Sequence, residues 1–287
     1  MIAPERKIEW YLEYEITFNR AGLLGDVASL LGMMGISIVT INGVDQNRRG
    51  LLIRADSLDK MRRFEDIVSQ IDEISITKMR KPQLRDRLAV RHGRYIKQDA
   101  DDKKTFRFER EDLGLLVDFL AEIFKEEGHK LIGIRGMPRV GKTESIVAGS
   151  VCAHKRWLFI SSTLIKQTIR NSLLKGEYGP EHVYIIDGAV TARENDPKHR
   201  QLVDEVMALP AIKVVEHPDL FVDSCDYQLE DFDYIIELRE TEDQEIKYEH
   251  MKHQTVKSKN NLDFGNSFDD FGGGFGFLNN VSRSVKT

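Results

Sequence analysis

The run Gly136-Met137-Pro138-Arg139-Val140-Gly141-Lys142-Thr143 sets two glycines, a lysine and a threonine at the spacing Gly-x4-Gly-Lys-Thr. Each residue type has a use against a polyphosphate. Glycines let successive backbone N–H groups turn toward an anion with no Cβ in the way. Lys142 would reach the outer phosphates as a point charge, and the Thr143 hydroxyl would sit on Mg2+. A match of this kind arises by chance in roughly 1 of 100 chains of this length. Context strengthens it, because an apolar run at 130–134 precedes the loop and a helix carrying Ile146, Val147, Val151 and Cys152 follows. Gly136, Pro138, Arg139, Val140, Gly141, Lys142 and Thr143 are therefore the candidate nucleotide-binding residues. The expected ligands are ATP or another nucleoside triphosphate together with Mg2+. The sequence has no Asn-Lys-x-Asp guanine-reading motif, which favours ATP.

A Mg2+ site also needs a carboxylate at the tip of a nearby strand. The apolar run 183–186 ends in Asp187, which makes Thr143 and Asp187 the expected metal ligands and Lys142 and Asp187 the expected catalytic pair. Glu216, at the end of the next apolar run, is the weaker rival. Ser161, Ser162 and Thr163 stand where an acceptor could lie, although helix capping accounts for them equally well. His250 and His253 lack a third ligand of suitable spacing, so solvated histidines are the plainer reading.

Apolar runs at 130–134, 157–160, 183–186, 212–215 and 234–238, separated by helix-length segments, predict a parallel sheet covered on both faces. Asp112 is placed to cap a helix whose apolar face holds Leu113, Leu116, Phe119, Leu120, Ile123 and Phe124. Trp10 and Trp157 fall in apolar strand patterns and are expected in the core.

Ahead of this lies a different pattern. Residues 10–18 alternate as a strand, and Leu23, Leu24, Val27, Leu30, Leu31 and Met34 mark one face of a helix that Gly35 closes. Strands are expected at 36–41 and 51–55, with Asn42-Gly43 as a turn, then a helix over 58–71 and a strand around Ile74 and Ile76. This βαββαβ order predicts one sheet with two helices on one face. The string from Asn19 through Gly22, Leu23, Leu24 and Asp26 to Gly35-Ile36-Ser37-Ile38 resembles ACT domains. That resemblance implies a regulatory module that pairs through its sheet into a homodimer and binds an amino acid or other small metabolite. Residues Asn19, Gly22, Leu23, Leu24 and Asp26 would form the ligand loop.

Between the two patterns Lys78, Arg80, Lys81, Arg85, Arg87, Arg91, Arg94 and Lys97 stand against Asp86 alone. This strongly basic segment reads as an anion-binding collar or as a connector, solvated or docked, whose charges pair with the acidic run 99–102. The expected domains are thus an ACT-like unit at 1–79, a basic linker at 80–105, a nucleotide-binding unit at 106–256, and a Gly/Phe-rich tail at 257–287 expected to be disordered. The fold class is α/β plus α+β, a ferredoxin-like domain followed by a three-layer parallel-sheet domain. A net charge of −5 over 287 residues argues against nucleic acid as the partner. Two cysteines, Cys152 and Cys225, exclude a disulfide framework. With no membrane span in the pattern, a cytoplasmic location is expected.

The second half resembles small P-loop kinases, in which the segment after the last strand forms a basic lid; Arg239, Lys247 and Lys252 are the residues available for that role. The repeated lid arginines are absent, and Gly188 follows Asp187 where many ATPases place a catalytic glutamate. Residues 83–96, 128–148, 155–163 and 231–240 resemble the YmfK-like proteins of Bacillus-type Firmicutes, a family with no assigned reaction. Two functions are carried forward: a Mg2+-dependent phosphotransferase or NTPase under metabolite control, and a nucleotide- or metabolite-sensing regulator that acts through partner proteins without turnover.

Overall fold

The computed structural model describes residues 8–162, 168–241 and 244. The tail 257–287, the pair His250 and His253, Thr163, and the lid lysines Lys247 and Lys252 lie outside the described residues. The three sheets of the described residues belong to one compact unit of mixed α/β structure.

The first sheet is antiparallel throughout, in the order β2-β3-β1-β4. Its elements follow the chain as β1 (Ile8–Ile16), α1 (Leu23–Met33), β2 (Ser37–Gly43), β3 (Arg48–Ala55), α2 (Leu58–Val68) and β4 (Ile74–Arg80). Asn42 and Gly43 are the last residues of β2 rather than a turn, and the chain reverses over 45–47, where Arg48 N–H donates to the Asp45 carbonyl. Alternation along β1 sends Leu12 and Tyr14 into a core with Leu31, Met61 and Phe64, and sends Tyr11 and Glu13 to the opposite face.

That opposite face is covered, which the two-helix expectation missed. Residues 80–105 do not form a plain linker: α3 (Leu84–His92) docks there, burying Ala89 and Val90 against Tyr11, Val44 and Leu52. Local chemistry starts the helix, since the Asp86 carboxylate accepts the Gln83 N–H at 2.8 Å and pairs with Arg80 at 2.7 Å. Several of the basic residues pair outside the run 99–102. Arg87 pairs with Glu9, Arg91 and His92 with Asp118, Arg94 with Asp112 and Lys97 with Glu109, while Asp99 takes Arg107. Asp112 therefore anchors Arg94 instead of capping the following helix through its side chain.

The second sheet has seven strands in the order β5-β6-β13-β7-β12-β11-β8. Its members are β5 (Lys97–Gln98), β6 (Thr105–Glu109), β7 (Lys130–Gly136), β8 (Arg156–Phe159), β11 (His182–Asp187), β12 (Ile212–Glu216) and β13 (Tyr234–Arg239). All pairs are parallel except β5 with β6. A separate two-stranded piece joins β9 (Ser161–Ser162) and β10 (Thr168–Ile169). One face packs on α4 (Leu113–Phe124) and α5 (Lys142–Cys152) through Leu116, Phe119, Ile134 and Ile146. The other packs on α7 (Pro197–Ala208) and α8 (Pro218–Val222) through Val206, Met207 and Phe221, while α6 (Gly188–Thr191) is a single turn after β11. Trp10 packs on the first core, but Trp157 is 39% exposed on the edge strand β8, against expectation. Among the described residues no helix is long and apolar enough to cross a membrane.

Beneath α3 the Glu13 carboxylate is fully buried. It accepts hydrogen bonds from Thr77 at 2.7 Å, Lys78 at 3.0 Å, Tyr11 at 2.8 Å and Tyr95. Burial alone raises its pKa, but these donors together outweigh burial and hold it at about 2 against an ordinary 4.5. Because the folded-state value is the lower one, the contribution to stability is complete above about 4.5 and is lost as pH falls toward 2. Glu13→Gln is expected to cost about 1 to 3 kcal/mol at neutral pH, measured by denaturant unfolding, with the gap to wild type narrowing in acid.

Candidate functional site

The glycine loop leaves the carboxyl end of β7 and returns as the first turn of α5. Gly136 cannot be replaced, because a Cβ there would lie 2.6 Å from the Leu238 carbonyl oxygen of β13. Arg139 takes a left-handed conformation at φ 64, stabilised by Arg110, whose guanidinium donates to its carbonyl at 3.2 Å. Lys142 begins the helix and is buried; its Nζ donates to the carbonyls of Gly136 at 2.9 Å and Met137 at 3.0 Å, folding the side chain back over the loop. Burial lowers the lysine pKa, and the carboxylates of Glu216, Asp187 and Glu144 oppose that shift.

Two carboxylates stand beyond the loop. Glu216 closes β12, the strand next to β7, and Asp187 closes β11, one strand further, in register with Glu216. Thr143 Oγ1 donates to Glu216 Oε1 at 2.5 Å, so the hydroxyl expected to hold Mg2+ meets the rival carboxylate directly. Burial raises the Glu216 pKa to about 7, with Asp187 and Glu144 adding to the rise and the Thr143 hydrogen bond and Lys142 charge opposing it. Asp187 Oδ1 accepts the N–H groups of Ala189 at 3.0 Å and Val190 at 3.2 Å, capping α6. Behind it, buried Ser161 accepts Asp187 N–H at 2.9 Å, so this serine positions the Asp187 backbone and caps no helix.

Gly188 also has a steric cause. A Cβ at that position would lie 2.6 Å from the His217 carbonyl oxygen and 2.9 Å from that of Glu216. No glutamate can follow Asp187 in this packing, and the second carboxylate is supplied from β12 instead. His217 and Arg193, which the sequence reading passed over, also border the cluster through their charge interactions. His217 directly follows Glu216, and that position at the tip of a strand beside the loop strand was the available signal.

Arg239, directly after Leu238, which is in register with Gly136, pairs with Glu237 at 2.7 Å. In the N-terminal loop Gly22 adopts φ 86 ahead of α1, Leu23 is buried in the core, Leu24 and Asn19 are exposed, and Asp26 pairs with Arg20 at 2.7 Å. Arg20 also holds Glu73 at 3.3 Å, tying this loop to the start of β4. A cavity of about 390 Å³ between α2 and β4, lined by Thr17, Glu65, Ser69 and Asp72 among others, includes none of residues 19–26.

The donor set Thr143, Glu216 and Asp187 is all oxygen, which suits a hard cation such as Mg2+ sharing phosphate oxygens and water. Among the described residues no three His, Cys, Asp or Glu side chains gather to hold a metal on their own.

Residues 76–265 match the family described as "Protein of unknown function (DUF3388)". The chain belongs to that family. It is 67% identical over 244 residues to the "Uncharacterized protein YmfK" of Bacillus subtilis (strain 168), an alignment covering 85% of this chain and 91% of that protein.

Since the folded-state pKa of Glu216 lies above its ordinary 4.5, its ionisation opposes folding as pH rises from about 4.5 through about 7. Glu216→Gln should therefore stabilise the ligand-free protein at pH 8, on the order of 2 kcal/mol, and change it little at pH 4.5. Denaturant unfolding at the two pH values measures this, and equal effects at both would show that the carboxylate is not held in that state.

Proposed function

We propose that this protein binds a nucleoside triphosphate, ATP in the first instance, with Mg2+ at the glycine loop of 136–143, and that an ACT-like N-terminal module regulates it. The observation that carries this reading is the convergence of Lys142, Thr143, Glu216 and Asp187 at the carboxyl ends of three neighbouring parallel strands, where open α/β sheets bind ligands. On binding, the loop backbone N–H groups and the start of α5 would take the phosphates. Lys142 would leave the Gly136 and Met137 carbonyls for the outer phosphates. Mg2+, held by Thr143 with Glu216 and Asp187, would neutralise phosphate charge. Glu216, with its raised pKa, is a candidate base for an acceptor hydroxyl or water.

The second reading, a sensor that binds nucleotide without turnover, is favoured by Gly188, which bars a glutamate from the position next to Asp187. In either case the N-terminal sheet offers its edge strand β2, with Ile38 and Val39 exposed, for pairing two copies. The amino-acid or metabolite ligand assigned to residues 19–26 remains part of this proposal.

Thermal unfolding with Mg–ATP and Mg–GTP tests the core claim. At a hundredfold excess over Kd the bound state gains about 2.7 kcal/mol, and Lys142→Ala should remove that gain. No shift with either nucleotide would sink the proposal. Phosphate release measured across a panel of small-molecule acceptors then separates the two readings, with binding but no release under any acceptor marking the sensor.

A further inference from the structure

Arg139 is the one residue of 136–143 other than glycine that lies in the left-handed region, at φ 64. A side chain is strained there, and such residues persist only where their surroundings hold them. The conformation also shapes the loop, because alternating right- and left-handed backbone turns successive N–H groups toward a common anion. What holds Arg139 comes from outside the loop. Arg110 donates to its carbonyl at 3.2 Å, and Leu113 rests on the second glycine, where a Cβ at Gly141 would lie 3.2 Å from Leu113 Cδ2. Arg110 and Leu113 belong to a single 3-10 turn, Arg110–Asp112, and to the first residue of the helix α4 that it leads into. A further contact ties that turn to the chain after α3, since Asp112 Oδ1 takes Arg94 at 2.6 Å.

Residues 93–96 are seated on both large halves of the fold. Gly93, at φ 76, ends α3 so close to β2 that a Cβ would meet Asn42 Nδ2 at 3.3 Å and the Gly43 carbonyl at 3.4 Å. The Tyr95 hydroxyl donates to the buried Glu13 carboxylate of β1 and accepts from Lys78 of β4 at 3.0 Å. Its two neighbours are anchored elsewhere, Arg94 on Asp112 and Ile96 in the core that Leu116 and Phe119 of α4 share with the second sheet. Adjacent Cα atoms are about 3.8 Å apart, too short a span for residues 94 and 95 to absorb a shift of one anchor against the other.

Resting on the nucleotide reading above, we propose that this joint is the route by which the N-terminal module governs the glycine loop. A change in the seating of the first sheet moves Tyr95 and Arg94 together, the turn follows through Asp112, and Arg110 and Leu113 release Arg139 and Gly141. Seated, the joint keeps the loop amides aimed at one anion. Unseated, Arg139 relaxes out of the left-handed region and affinity for phosphate falls. The two backbone states of Arg139 are then the element that both ends of the path bias, which coupling between separated sites requires.

Calorimetry with Mg–ATP and amide hydrogen exchange on the full chain test this, using wild type, Tyr95→Phe, Arg110→Ala and the two substitutions combined. Each single variant should weaken Mg–ATP about three- to tenfold. Without nucleotide, each should speed exchange of the amides of 139–143 and leave those of β11 and β12 unchanged. The combined variant should be no weaker than the worse single one, because both act through one joint. Denaturant unfolding of the same variants separates a merely structural role: lower stability with ATP affinity and loop exchange at wild-type values overturns the proposal, and so do losses of affinity that simply add. Should wild type bind no nucleotide, the nucleotide reading fails by itself; faster loop exchange in Tyr95→Phe then still upholds the linkage, and unchanged exchange overturns it too.

Discussion

Three parallel strands end side by side with charges that water would otherwise hold. Lys142, Glu216 and Asp187 are all buried at the carboxyl edge of the large sheet, and most features of the site answer the resulting cost. Lys142 satisfies two loop carbonyls, Asp187 spends one oxygen on the first turn of α6, and Glu216 takes the Thr143 hydroxyl while its affinity for a proton rises. Each charge is stabilised locally and none is neutralised by an ideal ion pair. A ligand that brings both negative phosphate and a divalent cation would relieve these strains together, which is the energetic support for the proposed reading.

Close backbone contact sets the geometry of this edge. Gly136 lies against the Leu238 carbonyl and Gly188 against those of Glu216 and His217, so strand tips on both sides of the loop approach nearer than a side chain allows. The same packing presses His217 into an unfavourable backbone region and buries its ring. Strain and an unsatisfied nitrogen thus coincide at one residue next to Glu216.

Much of this was legible in the sequence, for identifiable reasons. The runs of β7, β11, β12 and β13 are legible because those strands are largely buried on both faces, leaving little polar alternation to confuse them, while the half-exposed edge strand β8 shows only by its three successive apolar residues 157–159. Strand β6 was harder, since Thr105-Phe106-Arg107-Phe108-Glu109 is short, half charged and sits beside a basic stretch. The pairing of Thr143 with Glu216 could not be read because it depends on strand order: β12 enters the sheet between β7 and β11 although it follows β11 in the chain. Helix α3 hid behind its charges. Its arginines read as an anion-binding collar or as a solvated or docked connector, and the partners that dock them, Glu9, Asp112 and Asp118, are distant in sequence.

Helix α3 also bears on how the chain is made. The first sheet is complete once Arg80 has been added, yet the cover over Tyr11, Glu13 and Leu52 on its second face is finished by residues that follow, among them Ala89, Val90 and Tyr95. During synthesis at roughly 5 to 20 residues per second, that face stands open for about a second or more after its last strand is translated. A buried carboxylate whose partners include a later tyrosine is hydrated in that interval, so the nascent sheet carries a wet polar patch instead of a bare apolar one. Glu13 thus keeps that face polar until α3 is in place.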